Sequence, residues 1–215
     1  MQEADRIVVL GGSFNPPTIA HARLMRAALD GLGASAGYFV PSCGAYVRRK
    51  MRRSAHPEEV YPDELRLAML QAMCADDPRM RVCHAEMADA KRSGHTYETL
   101  SAIAAEHPGA RVYFIFGADK LKALPKWPTF DALTRDFRLI VFTREGFDPQ
   151  KAFAKSPKLA EKRDAFVFLP QPEDAQDVSS TAVRDLLRSG GDPAPLMHPA
   201  AAALLHDALR SADPR

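Results

Sequence analysis

A chain of 215 residues, 46% hydrophobic and 26% charged, is long enough to bury one sizeable core and ordinary enough in composition to be globular. A formal net charge of +2 argues against bulk nucleic-acid binding but leaves room for a local basic site. No apolar run is long enough to cross a bilayer, and the polar start Met1–Asp5 with four apolar residues behind it lacks the form of a signal peptide. The three cysteines, Cys43, Cys74 and Cys83, are odd in number and lack metal spacing, so reduced thiols in a cytoplasmic protein are expected and a zinc site is not.

Ile7–Leu10 reads as a short buried strand, followed at once by Gly11 and Gly12, whose missing side chains permit unusual dihedrals and close ligand approach. Ser13 to Thr18 contains Asn15, Pro16 and Pro17 and reads as a stiff loop. From His21 the apolar residues Ala22, Leu24, Met25, Ala28, Leu29 and Leu32 recur at helical spacing. In open α/β sheets, ligands collect beyond the carboxyl end of such a strand, and phosphate at the amino end of such a helix. Neither a GxGxxG fingerprint nor a Walker loop is present. Thr18 and His21, three residues apart, share one side of the opening turn and suit a nucleotide triphosphate. Thr18 as a plain helix cap, with His21 at the surface, weighs equally on these residues alone.

Gly37–Val40 reads as a second strand closed by Pro41, and Ser42–Pro57 as a polar loop bearing Arg48, Arg49, Lys50, Arg52 and Arg53. That cluster is either a solvated charge run or a lid that grips a phosphate. Asp63–Cys74 is predicted helical, Met80–Cys83 a strand, and Gly94–Leu100 the opening of a helix that ends near Glu106. Val112–Phe116 is the most β-prone run, consistent with a central strand that ends at Gly117-Ala118-Asp119. Asp119 can accept from ribose hydroxyls or cap the next turn. Trp127, the sole tryptophan, sits in a proline-flanked loop, where a hydrophobic clamp and a ring-stacking platform are both open. Phe137–Phe142 reads as a further strand, with Thr143-Arg144 near any bound adenine, Phe147–Lys162 as surface helix and loop, and Ala165–Leu169 as another strand. Ser179, Ser180 and Thr181 open a helix that Gly190-Gly191 stops; their hydroxyls offer a cap and a phosphate cradle, with Arg184 one turn in. Ala200–Leu209 is an amphipathic helix expected to brace the sheet.

Three blocks carry a family resemblance. Gly11–His21, GGSFNPPTIAH, resembles the GG(T/S)F(D/N)Pxxx(G/A)H signature of nucleotidyltransferases with the (H/T)xGH motif, with Ala20 where glycine is usual. Gly117, Asp119, Leu121, Leu124 and Trp127 resemble the GxDxLxxLxxW segment of the nicotinate/nicotinamide mononucleotide adenylyltransferases. Val178–Arg184 resembles their ISSTxIR motif. The resemblance runs from about Ile7 to the C-terminal helix.

It implies that His21 and Thr18 are catalytic. It further implies that Gly11, Gly12, Ser13, Phe14, His21, Gly117 and Asp119 bind ATP, together with Ser179, Ser180, Thr181 and Arg184. Ser13, Phe14, Arg48, Lys50, Thr96 and Trp127 would bind the mononucleotide, with Arg48 ahead of Lys50. Thr96 as a helix cap remains equally open. The resemblance supplies Mg²⁺ with ATP and no protein metal site, and it leaves the acid or amide form of the mononucleotide and a homo-oligomer open. Strands alternating with helices imply parallel pairing with right-handed crossovers, hence a single Rossmann-like, doubly wound α/β domain over residues 1–215. The expected reaction joins ATP and a pyridine mononucleotide with loss of pyrophosphate. The alternatives are a sister enzyme acting on another phosphate, such as phosphopantetheine, and a nucleotide-binding module without catalysis.

Overall fold

The computed structural model describes residues 4–91, 94–143 and 148–212. Its centre is β1 (Arg6–Gly12), hydrogen-bonded in parallel on both sides. The elements after it are α1 (Ile19–Leu32), β2 (Ala36–Pro41), α2 (Gly44–Met51), α3 (Asp63–Cys74), β3 (Met80–Val82), α4 (Ala85–Ala88) and α5 (Thr96–Glu106). Then come β4 (Arg111–Phe116), α6 (Phe130–Asp136), β5 (Arg138–Thr143), α7 (Pro149–Ala154), α8 (Pro157–Glu161), β6 (Phe166–Pro170), α9 (Ser180–Arg188) and α10 (Pro199–Ala212). The strand order is β3-β2-β1-β4-β5-β6, and every pairing is parallel. This is the doubly wound Rossmann-like arrangement, and the chain reverses direction across the sheet between β1 and β4.

The strands read as continuous apolar runs because both faces are covered. Ile7, Val9, Phe114 and Val141 point into one core beneath α5 to α8, with Leu100, Leu133, Phe153 and Leu159. Their neighbours Val8, Leu10, Ile115 and Ile140 point into the other, against Met25 and Leu29 of α1 and Leu70 and Met73 of α3. Alternation along each strand thus supplies two cores from one sequence.

Two expectations are corrected. The 42–57 stretch is not all loop, because Gly44–Met51 is α2, with Val47 and Met51 buried one turn apart. Its first N–H is capped from outside the segment: Gly44 donates to Asp63 Oδ2 at 2.9 Å. Secondly, α10 does not brace the sheet directly. Ala201, Ala202 and Leu205 pack with Met69 of α3 and Val183 of α9 in a third cluster. The three cysteines are free thiols, and burial pushes the Cys74 thiol up to about 12. Among the described residues, no helix is long and apolar enough to cross a membrane. The predicted adenine neighbour Arg144 lies outside the described residues, as does Phe147.

Candidate active site

A cleft of about 990 Å³ opens at the carboxyl ends of β1 and β4, at the switch point of the sheet. Gly11 and Gly12 line it from the end of β1, Ser13 from the loop that follows, and Gly117, Asp119 and Lys120 from the turn after β4. The amino ends of two helices face it: Thr18, Ala20 and His21 of α1, and Ser179, Ser180 and Thr181 of α9. Thr96 at the start of α5, Trp127, Tyr46 and Lys50 complete the far side. Helix amino ends carry free N–H groups and partial positive charge, so two of them suit an oligophosphate.

Thr18 and His21 are locked together. Thr18 is the N-cap of α1 and fully buried. Its backbone N–H donates to His21 Nδ1 at 2.9 Å, and its hydroxyl Oγ1 lies 2.8 Å from the same nitrogen. A ring nitrogen that accepts an N–H bears no proton, so the neutral ring carries its hydrogen on Nε2. Burial, with the Lys50 charge adding to it, lowers the His21 pKa to about 4. At neutral pH His21 is therefore an uncharged donor with one nitrogen left for a ligand. Thr18 is both the cap of α1 and the partner of the His21 ring, and His21 is not a free surface residue.

The loop between β1 and α1 is held from below. Arg66 of α3 is fully buried; it donates from Nη1 to the Ser13 carbonyl at 2.6 Å and from Nη2 to the Ser42 carbonyl at 2.7 Å. A third bond joins Nη2 to Asp63 Oδ1 at 2.9 Å. Nothing in the sequence singles out Arg66, because one arginine on an amphipathic helix looks like solvated charge. Phe14 stands outside the cleft lining. It is 2% exposed, with its ring edge-on to those of His21 and Phe39 at 5.0 and 5.8 Å. Gly12 needs no unusual φ; a Cβ there would lie 3.3 Å from the Phe14 ring.

The α9 end is also tied to the loop. Ser179 caps the helix by accepting from Ala182 N, and Ser180 Oγ donates to the Pro16 carbonyl at 2.7 Å. Arg184 is 8% exposed and does not line the cleft. Its Nη1 donates to the Asn15 carbonyl at 2.6 Å, Nη2 to Thr181 Oγ1 at 3.2 Å, and Nε lies 3.4 Å from Glu59 Oε2.

On the other wall, Lys50 rather than Arg48 reaches the cleft. Lys50 Nζ donates to Ser13 Oγ at 3.2 Å, while Arg48 is turned toward Gly44 and Asp63. The physical reason is α2 itself: two residues on a helix are about 200° apart, so both cannot face one side. Thr96 lies one residue inside α5 and is not its cap, a place held by His95. Trp127 lines the cleft and also packs edge-on against Phe116, with centroids 5.7 Å apart. Glu86, buried and unnoticed in the sequence, lines the same wall and accepts from Ser42 Oγ at 3.1 Å and Thr99 Oγ1 at 3.0 Å. Among the described residues His56, Glu58 and Glu59 bring donor atoms within 4.8 Å of one another. The Glu59 carboxylate already takes two bonds from Arg188, so that cluster is committed to the α9 contact.

A parallel doubly wound sheet with two helix amino ends and a locked histidine at its switch point defines a nucleotide-handling enzyme of the nucleotidyltransferase class. The family model described as Cytidylyltransferase-like matches residues 9–186. The chain is 31% identical over 202 residues to a Myxococcus xanthus protein named "Probable nicotinate-nucleotide adenylyltransferase", covering 92% of this chain and 90% of that one. A Geobacillus kaustophilus protein of the same name is 29% identical over 187 residues, 86% of this chain and 76% of its own. A solved Plasmodium falciparum nicotinic acid mononucleotide adenylyltransferase has the same fold, with a TM-score of 0.70 at 17% identity, covering 95% of this chain and 96% of that one. The chain belongs to the cytidylyltransferase-like family, among its nicotinate-nucleotide adenylyltransferases.

Proposed function

We propose that this protein joins ATP and nicotinate mononucleotide to give the dinucleotide and pyrophosphate, a step of NAD biosynthesis. The observation that carries the reading is the convergence of the α1 and α9 amino ends on a cleft where His21 is held neutral with Nε2 as donor. The relatives' names, which specify nicotinate, support the acid rather than the amide as acceptor.

An oxygen of the mononucleotide 5′-phosphate attacks the α-phosphorus of ATP. The bond from that phosphorus to the oxygen bridging to the β-phosphate breaks, and pyrophosphate leaves with its electron pair. The nucleophile is anionic at neutral pH, so no base is needed and catalysis consists of alignment and charge stabilisation. His21 Nε2–H donates to oxygens on which charge builds, and Thr18 holds the ring in that tautomer. The N–H groups at the start of α9 and the Thr181 hydroxyl receive the leaving end, while the Ser180 hydroxyl ties that helix end to the Pro16 carbonyl. Lys50 and Ser13 position phosphate from the α2 side, and Trp127 offers a face to the pyridine ring. Asp119 is set to accept from ribose hydroxyls. Mg²⁺ enters as part of the MgATP substrate, held mainly by phosphate oxygens and water. The three free thiols and an ATP substrate support a cytoplasmic location.

The test is a turnover assay of the whole chain with ATP and, separately, nicotinate mononucleotide, nicotinamide mononucleotide and phosphopantetheine. Pyrophosphate release with dinucleotide formation, fastest with nicotinate mononucleotide, is expected. Turnover only with phosphopantetheine, or with no acceptor, overturns the reading.

A further inference from the structure

Two cations line the cleft from different elements, and the motifs account for only one. Lys50 reaches in from the last turn of α2. Lys120 reaches in from the 3-10 turn Ala118–Lys120 that follows β4. It occupies the position between Asp119 and Leu121 that the GxDxL pattern leaves open. Among the described residues, nothing gives the Lys120 ammonium a hydrogen bond or ion pair, and Lys50 has only the neutral hydroxyl of Ser13.

We propose that Lys120 is a substrate-binding residue that pairs with Lys50 to bracket the phosphate chain where the two substrates meet. The physical argument is charge balance. Two ammonium groups close enough to repel raise the electrostatic energy of the cleft, and an oligophosphate between them reverses the sign of that term. Burial is the first cause of the lowered Lys50 pKa, and the Lys120 and Arg184 charges follow, with Asp119 acting the other way. The charges that act on Lys50 are thus Lys120, Arg184 and Asp119, and Lys50 in turn acts on His21. Among them Lys120 alone shares with Lys50 a place in the lining and a compact, strongly hydrated positive charge, the form of cation suited to phosphate oxygens. The adenylyltransferase reading enters only in naming whose phosphates are held; the bracket itself suits any oligophosphate.

The experiment is calorimetric titration of the full chain with inorganic pyrophosphate, comparing wild type, Lys120→Gln and Lys120→Arg. Lys120→Gln should bind about tenfold more weakly or worse, the usual effect of losing one charged hydrogen bond, and Lys120→Arg should regain most of it. Lys120 is exposed, so the melting temperature should not move, which separates binding from folding. A second readout is the basic limb of the pH profile of kcat/KM for the free enzyme, which should move to higher pH in Lys120→Gln as repulsion on Lys50 is relieved. Unchanged pyrophosphate affinity in Lys120→Gln, or a wild type that binds none, overturns the proposal. A chain that binds pyrophosphate through Lys120 yet makes no dinucleotide would sink the adenylyltransferase reading and leave the bracket standing.

Discussion

The guanidinium of Arg66 donates to the Ser13 carbonyl at 2.6 Å from inside the core, so α3 holds the loop whose other surface is the floor of the cleft. The same side chain grips the Ser42 carbonyl at the exit of β2. Arg66→Met should remove about 2–4 kcal/mol of stability, because the buried Ser42 carbonyl and the part-buried Ser13 carbonyl lose charged donors together. Urea unfolding measures it. A variant as stable as wild type would show that the loop stands without this tie.

His21→Ala should leave the fold in place and lower kcat by about two to three orders of magnitude, the loss seen when a positioned transition-state donor is removed. Steady-state turnover on a variant with a native circular dichroism spectrum checks it.

His21 also carries a pH signature. Its folded pKa of about 4 lies below the unfolded value of about 6.5, so the unfolded chain binds a proton first as pH falls. Stability from this group is full above about pH 6.5 and is lost progressively as pH falls toward about 4, by about 1–3 kcal/mol. Unfolding free energy should therefore drop more steeply across that window in wild type than in His21→Gln. Parallel curves would remove His21 from the account.

Arg184→Ala should raise the KM for ATP more than that for the mononucleotide, and also lower the melting temperature by several degrees. The second effect follows from the Asn15 carbonyl and Glu59, which the guanidinium holds beneath the loop. The ATP effect is indirect, through the Thr181 hydroxyl that Arg184 Nη2 holds, and a shift in the mononucleotide KM alone would show that it supports the other half of the cleft instead.

Trp127→Ala should weaken mononucleotide binding by about 1–3 kcal/mol, as removal of an aromatic stacking partner does, with the ATP KM nearly constant. Trp127→Phe should recover part of it. Loss of thermal stability with both KM values unchanged would make Trp127 solely a partner of Phe116.

The sheet was legible in the sequence because its strands are short apolar runs between glycine, proline and polar punctuation, a local signal that burial on both faces enforces. The cleft's location followed from the same pattern, since the strand, glycine turn and helix of residues 7–21 put a helix amino end beside a strand end whatever surrounds them. Partnerships between distant segments were not legible. Asp63 caps α2 from nineteen residues away, which turns an apparent basic loop into a helix and selects Lys50 over Arg48 for the cleft. Arg66 and Glu86 resemble surface charge until the fold surrounds them with carbonyls and hydroxyls. Arg184 is drawn beneath the loop by Asn15, 169 residues away, and by Glu59 on yet another segment. Periodicity is a property of neighbours in the chain. Which buried donor meets which acceptor depends on how separate elements pack, and only the tertiary structure sets that.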